Sequence, residues 1–282
     1  MNIRSLKKKF KKNINISSYL KKKKLHEKDI IKLSYDIQSG SYIKSYDHKK
    51  SLKVLSPLIN EISKYNPNVL LDFGSGELTN FYTMSKKLGN KIQYLACDLS
   101  FSRLAKGIEF LKKNSNIKNK TFFVNKGLKL PFKNNSIDVI TTCHALEPNK
   151  KGGAEIIKEL YRVCKNAMVL FEPDYKIAND SQKYRMNKYG YIKNIEKILR
   201  KNNYKYKKKE TNFNFNSNNP ASIFIIEKKS REKNTHEFSE LYKEKYYKLN
   251  FTSEFYYSEC DGSIYPILNG IVLFNNSSIY VD

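Results

Sequence analysis

Two carboxylates and an imidazole stand in two short runs able to move a proton. CHALEP, residues 143–148, carries His144 and Glu147, and FEPDY, residues 171–175, carries Glu172. An imidazole titrates near neutrality, so His144 suits removal of a proton from an O–H or N–H group. Glu147 and Glu172 are the further acid–base candidates, with Tyr175 as a substrate contact. Each also has a plain structural use, His144 in satisfying a loop and Glu147 as a solvated or capping residue. His26, His48 and His236 sit in polar surroundings and read as surface residues.

A second group lies in LLDFGSGELTN, residues 70–80. Asp72, Gly74, Ser75, Gly76 and Glu77 occupy the turn between an apolar run and a helical pattern. Glycines there let the backbone approach a ligand, and a helix starting near Thr79 offers unpaired N–H groups to an anion. Asp98 ends the next apolar run, 24 positions after Gly74, where an acid accepts hydrogen bonds from ribose hydroxyls. Together these residues point to an adenosine-containing ligand. A dinucleotide fingerprint would want a third glycine at position 79, where Thr79 stands, and a phosphate-binding P-loop would need a Gly-Lys-Ser/Thr that is absent.

The elements that must hold these groups alternate in type. Residues 68–74, 92–99, 120–126, 137–146 and 166–173 read as buried strands, with helix candidates at 79–89, 101–114 and 153–165 between them. A helix around 188–202 precedes two closely spaced runs, 204–213 and 221–229, which read as an antiparallel pair. The spacing predicts an α/β fold: a doubly wound, Rossmann-like sheet of about seven strands that ends in an antiparallel hairpin. A charged linker, KKSREKNTHE, then leads to a tyrosine-rich, β-rich module with hairpin turns at Asp261-Gly262 and Asn269-Gly270.

The 282 residues carry 53 basic against 27 acidic side chains, a net charge of +26. That balance raises contact with RNA or an anionic membrane surface. Only six of the basic residues are arginine (Arg4, Arg103, Arg162, Arg185, Arg200 and Arg231), the side chain that reads phosphates and bases best. The lysine excess therefore reads as compositional drift. Cys97, Cys143, Cys164 and Cys260 form no Cys-x-x-Cys pair, which points to reduced thiols in a cytoplasmic protein without disulfide or metal. No apolar run has the length of a membrane span, and the lysine-rich N-terminus reads as a disordered basic arm.

The leading acid, two glycines and distal acid resemble the class I S-adenosylmethionine-dependent methyltransferases, in the subset similar to methyltransferase type 11 with a Gly-x-Gly-Glu loop. LKLPFKNNSIDVITTCHALEP (128–148) looks like that family's Leu-Pro-Phe turn and fourth strand, and FEPDY like the end of its fifth. The resemblance implies S-adenosyl-L-methionine as cofactor, held by Asp72, Gly74, Ser75, Gly76, Glu77, Asp98, Asn125 and Lys126. Relatives often have aspartate where Lys126 stands, which leaves adenine to Asn125 or backbone. YDIQSGSY (35–42) has a counterpart in the subset as a cover over the cofactor. IYPILNGIVLF (264–274) resembles a Trm112-like module, degenerate here because only Cys260 remains of the zinc-ligand pairs, with Tyr242 and Lys245 near where another pair would lie. Three segments result: a basic arm over 1–34, a methyltransferase domain over 35–230 and the small module over 231–282. CHALEPN differs from the Asn/Asp-Pro-Pro-Tyr/Phe of amino methyltransferases, which favours an O or N acceptor on a small molecule, a sugar or surface-glycan precursor in view. An RNA-directed methyltransferase and a non-catalytic scaffold are the alternatives.

Overall fold

The computed structural model describes residues 3–12, 14–23, 27–125, 128–149, 152–211, 214–215, 217–228, 249–251, 255–258, 263–274 and 278–279. In chain order, helices α1 (Ile3–Lys11), α2 (Ile16–Lys21), α3 (Glu27–Gln38), α4 (Ser41–Lys44) and α5 (His48–Ser63) precede strand β1 (Val69–Phe73). Then come α6 (Thr79–Leu88), β2 (Gln93–Asp98), α7 (Phe101–Asn114), β3 (Lys120–Val124), β4 (Ile137–Cys143), α8 (Gly153–Val163) and β5 (Cys164–Pro173). The chain continues through α9 (Asp180–Tyr189), α10 (Ile195–Lys201), β6 (Tyr206–Glu210) and β7 (Ala221–Glu227), and then β8 (Leu249–Phe251), β9 (Phe255–Ser258), β10 (Ser263–Leu268), β11 (Ile271–Val272) and β12 (Ser278–Ile279).

Every residue of β1 is buried, because successive side chains face opposite sides of a sheet that is covered on both. Val69, Leu71 and Phe73 pack with Ile156, Leu160 and Val163 of α8 and Ile195, Ile198 and Leu199 of α10. Leu70 belongs to the other layer, with Leu55, Leu58 and Ile62 of α5, Phe81 and Met84 of α6 and Leu104 and Leu111 of α7. Strands run in the order β6-β7-β5-β4-β1-β2-β3 and onward to β11-β10-β9-β8, with β12 paired to β10. Pairings from β5 through β3 are parallel, and β7 and β6 close the far side antiparallel. The order reverses at β1, between β4 and β2, so a crevice opens at the carboxyl ends of these strands, where ligands of such sheets bind.

Three segments differ from the sequence reading. The arm is helical where disorder was expected: Leu6, Ile16, Leu20, Ile30 and Ile37 from α1, α2 and α3 form an apolar cluster of their own. Its lysine-rich composition conceals apolar residues at helical spacing. The helix expected around 188–202 is two helices, since Gly190 in the left-handed region (φ +70°) ends α9 and α10 restarts at Ile195. The C-terminal strands also continue the main sheet: β11 pairs in parallel with β3 through Ile271–Phe122 and Val272–Phe123 and so covers an otherwise open edge. The hairpin expected at Asn269-Gly270 joins β10 to β11, both turn residues at positive φ. The turn at Asp261-Gly262 lies outside the described residues, as do Cys260, Tyr242 and Lys245. No helix among the described residues is long and apolar enough to cross a membrane.

Candidate active site

The turn after β1 is fixed from below by β2. The N–H groups of Gly74 and Ser75 donate to the Cys97 carbonyl at 2.8 and 2.9 Å, and Ser75 Oγ donates to the same oxygen at 3.0 Å. The Asp98 carboxylate accepts from the N–H of Gly76 at 2.8 Å and of Ser100 at 2.8 Å. Both glycines have positive φ, +75° at Gly74 and +54° at Gly76, a region costly for a side-chain-bearing residue. A Cβ on Gly74 would lie 2.3 Å from Ala145 Cβ, and one on Gly76 2.6 Å from Arg103 Nη2. Gly107 of α7 has the packing task that a third loop glycine would have: a Cβ there would lie 2.8 Å from the Glu77 backbone.

Glu77 reaches away from the glycines. Its side chain is buried, Oε2 accepts from the Ile43 N–H of α4 at 2.9 Å, and Oε1 lies 3.8 Å from Arg103 Nε. The residues that follow α3 are thereby drawn over the loop, and Ser100 Oγ adds a tie to Asp36 Oδ1 at 2.5 Å. The Arg103 guanidinium lies over the rings of Tyr35 at 5.1 Å and Tyr42 at 4.7 Å. Burial works against its charge, but Asp98, Tyr42, Tyr35 and Glu77 together more than offset that. Tyr35 and Tyr42 thus line the hollow beside the loop, with Ile43 tied to Glu77.

Two adjoining hollows share Tyr35, Gly74, Arg103 and His144. The smaller, about 80 Å³, adds Phe73, Asp98, Leu99, Asn125, Ala145 and Ile156. The larger, about 400 Å³, adds Ser75, Gly76, Glu77, Cys143, Glu147 and Phe215, and ends at Arg185 and Asn219. Asn125 is buried, and its side-chain amide donates to the Lys129 carbonyl at 3.1 Å. Lys126 lies outside the described residues. Asp72 is buried under the turn with Oδ2 unpartnered, and burial, with the Asp98 charge beside it, pushes its carboxyl up to about 7.

His144 follows β4 with φ +54°, its N–H on the Phe171 carbonyl at 2.9 Å. Nδ1 is 3.1 Å from Glu147 Oε2, while Nε2 is buried without a partner. Burial lowers the imidazole, but the hydrogen bond and charge of Glu147 and the charge of Glu172 outweigh it, and the net shift is upward. Glu172 serves the same turn from beneath. It is wholly buried, with Oε1 accepting from the N–H of Ala145 at 2.9 Å and of Leu146 at 3.1 Å, and burial pushes it up to about 7. It lines neither hollow, so the structure makes it a brace for the residues after His144. Tyr175 also lies away, lining a separate surface groove beside Lys193.

A parallel sheet with a glycine turn after β1, an acid ending β2 and a histidine after β4 forms one connected crevice. Residues 70–167 match the family described as methyltransferase domain. The glycine turn, Asp98, His144 and Glu147 all fall inside the matched residues, whereas Tyr35, Tyr42, Arg185 and Asn219 fall outside them. Magnesium protoporphyrin IX methyltransferase from Synechocystis PCC 6803 with bound SAH is similar in fold, with a TM-score of 0.55 over 72% of this chain and 100% of that one at 12% identity. The same enzyme with bound SAM gives a TM-score of 0.51, 12% identity and coverage of 73% and 98%. A SAM-dependent methyltransferase from Aquifex aeolicus is 17% identical over 64% of this chain and 98% of that one, with a TM-score of 0.45. No curated protein matches the sequence. Sequence reasoning missed Arg103, Gly107, Arg185, Tyr191 and Phe215 as site residues. The signal available for the arginines was their scarcity, since two of the six line the cavity.

Proposed function

We propose that the chain is an S-adenosyl-L-methionine-dependent methyltransferase acting on an O–H or N–H acceptor of a small molecule, with sugars and surface-glycan precursors as the first class to try. The residues fit the cofactor's groups. Asp98 lies where it can accept hydrogen bonds from ribose hydroxyls, Leu99, Ala145 and Ile156 offer an apolar slot beside Asn125, and Arg103 supplies a charge for the carboxylate of an amino acid end. When bound, the cofactor supplies an electrophilic methyl group. The chain's own part is to hold the acceptor in line, exclude water and take a proton.

The single observation that carries this reading is His144. With Glu147 accepting from Nδ1–H, the neutral ring presents its lone pair at Nε2, which has no protein partner and is shielded from bulk water. Glu147 positions that base, and Glu172 holds the turn on which both sit. The roof formed by Tyr35 and Tyr42 over a cavity of about 400 Å³ favours a small acceptor over an RNA strand. Calorimetry with S-adenosylmethionine and S-adenosylhomocysteine tests the reading: both should bind, and Asp98→Ala should weaken them at least tenfold. Absence of binding to the wild-type chain overturns it.

A further inference from the structure

The far end of the larger hollow holds a cation that the methyl-transfer reading does not use. Arg185 projects from α9, and among the described residues its hydrogen-bond partners are both on Nη1: the Tyr191 hydroxyl at 3.1 Å and Asn219 Oδ1. Both partners are neutral, and no carboxylate lies within salt-bridge distance of Arg185 among the described residues. Arg103, the other guanidinium in the cavity, faces Glu77 and Asp98. The two therefore differ in kind: one faces carboxylates, and the other faces none among the described residues.

The neighbours of Arg185 hold it in one pose. Asn219 is buried, and its Nδ2 also reaches the Tyr191 hydroxyl at 3.4 Å. The guanidinium lies over the rings of Tyr189 at 5.3 Å and Tyr191 at 5.7 Å, and burial, with the Glu147 charge nearby, pushes the Tyr191 hydroxyl up to about 12. Glu147, which lines the same hollow, is 3.1 Å from His144 Nδ1 through Oε2. His144, Glu147, Tyr191, Asn219 and Arg185 thus line one hollow, with Arg185 pinned by Tyr191 and Asn219. The gap between His144 and Arg185 is walled by Phe215, edge-on to His144 at 6.4 Å.

We infer that the acceptor is anionic, with a carboxylate or phosphate that pairs with the free Nε and Nη2 edge of Arg185 while its nucleophilic atom meets His144 Nε2. This rests on the methyltransferase reading of the same cavity. An arginine fork matches the two oxygens of either anion, and in a chain whose cations are nearly all lysine this cavity has arginine at that place. A neutral acceptor would leave the guanidinium without a counter-charge once water is excluded.

The test is calorimetry on the full chain saturated with S-adenosylhomocysteine, titrated with inorganic phosphate and with acetate at constant ionic strength. The expected result is saturable millimolar binding of one or both, weakened about tenfold or more in Arg185→Gln, with affinity for S-adenosylhomocysteine unchanged. Asn219→Asp keeps the arginine but sets a carboxylate against it, and should remove anion binding equally. The relative affinity of the two anions tells carboxylate from phosphate. The inference is overturned if no saturable anion binding occurs at constant ionic strength, or if either variant binds anions as the wild type does. Failure of S-adenosylhomocysteine itself to bind removes the underlying reading instead, and is seen before any anion is added.

Discussion

Asp72→Asn should make the protein more resistant to unfolding at neutral pH, by an amount that grows with pH. Asp72 is 3% exposed and has one carboxylate oxygen without a partner. Its carboxyl is raised from 3.8 to about 7, chiefly by burial and then by the charge of Asp98. That is about three units, each about 1.36 kcal/mol, so ionisation costs about 4 kcal/mol more in the folded chain than in the unfolded one. For an acid raised in this way the stability is fully present below about pH 4 and is lost as pH rises through about 7. Asparagine is nearly isosteric and does not ionise. The assay is urea unfolding followed by tyrosine fluorescence, the chain having no tryptophan, at several values between about pH 4 and pH 8. Other titrating groups are shared by the two proteins and cancel in the difference. The variant-minus-wild-type free energy should climb by up to about 4 kcal/mol over that range. Parallel curves would refute the claim that a strained carboxylate lies beneath the turn. A gain of this kind is expected where a buried acid is retained for binding at the expense of stability.

The two loop glycines should differ under substitution. Gly74→Ala drives a methyl into Ala145 at 2.3 Å, while the conflict at Gly76 is with the end of the Arg103 side chain, which can swing aside; both should lose about 1–3 kcal/mol in urea unfolding, Gly74→Ala more. Equal losses would show that the left-handed backbone, and not the contact, sets the cost. Glu147→Gln should lower the titration midpoint of His144, followed by NMR of its imidazole, because Glu147 supplies the hydrogen bond and charge that raise it; a neutral His144 would then persist to lower pH, and an unmoved midpoint removes Glu147 as its partner. Glu77→Gln weakens the tie to Ile43 and Arg103 and should quicken protease cleavage near residues 39–46. Cleavage at the wild-type rate would mean the cover is held without it.

The parallel strands were legible because a sheet buried on both faces leaves continuous apolar runs, and each predicted run from 68–74 to 166–173 lies on an observed strand. The glycine turn was legible for a related reason, since few residues tolerate positive φ. Glu77 was harder to read. Its place in the turn is a local fact, but its partner is a backbone N–H 34 residues earlier in the chain. Glu172 had the right residue type at the right strand end, and only its hydrogen bonds to Ala145 and Leu146 show it to be a brace. The helical arm was hidden by lysine content, because composition averages over the faces that periodicity separates.

By itself the sequence determined the order of elements, the turn that approaches a ligand, and the acid at the end of β2, since all three depend on local backbone freedom and short-range periodicity. The tertiary structure alone decided which charges meet. Arg103 reaches Glu77 from α7, His144 loses water because Phe171 and Phe215 pack against it, and Arg185 meets the neutral Tyr191 and Asn219, with no carboxylate in salt-bridge distance among the described residues. Pairing and burial set the strength of a charge, and both arise between residues distant in the chain.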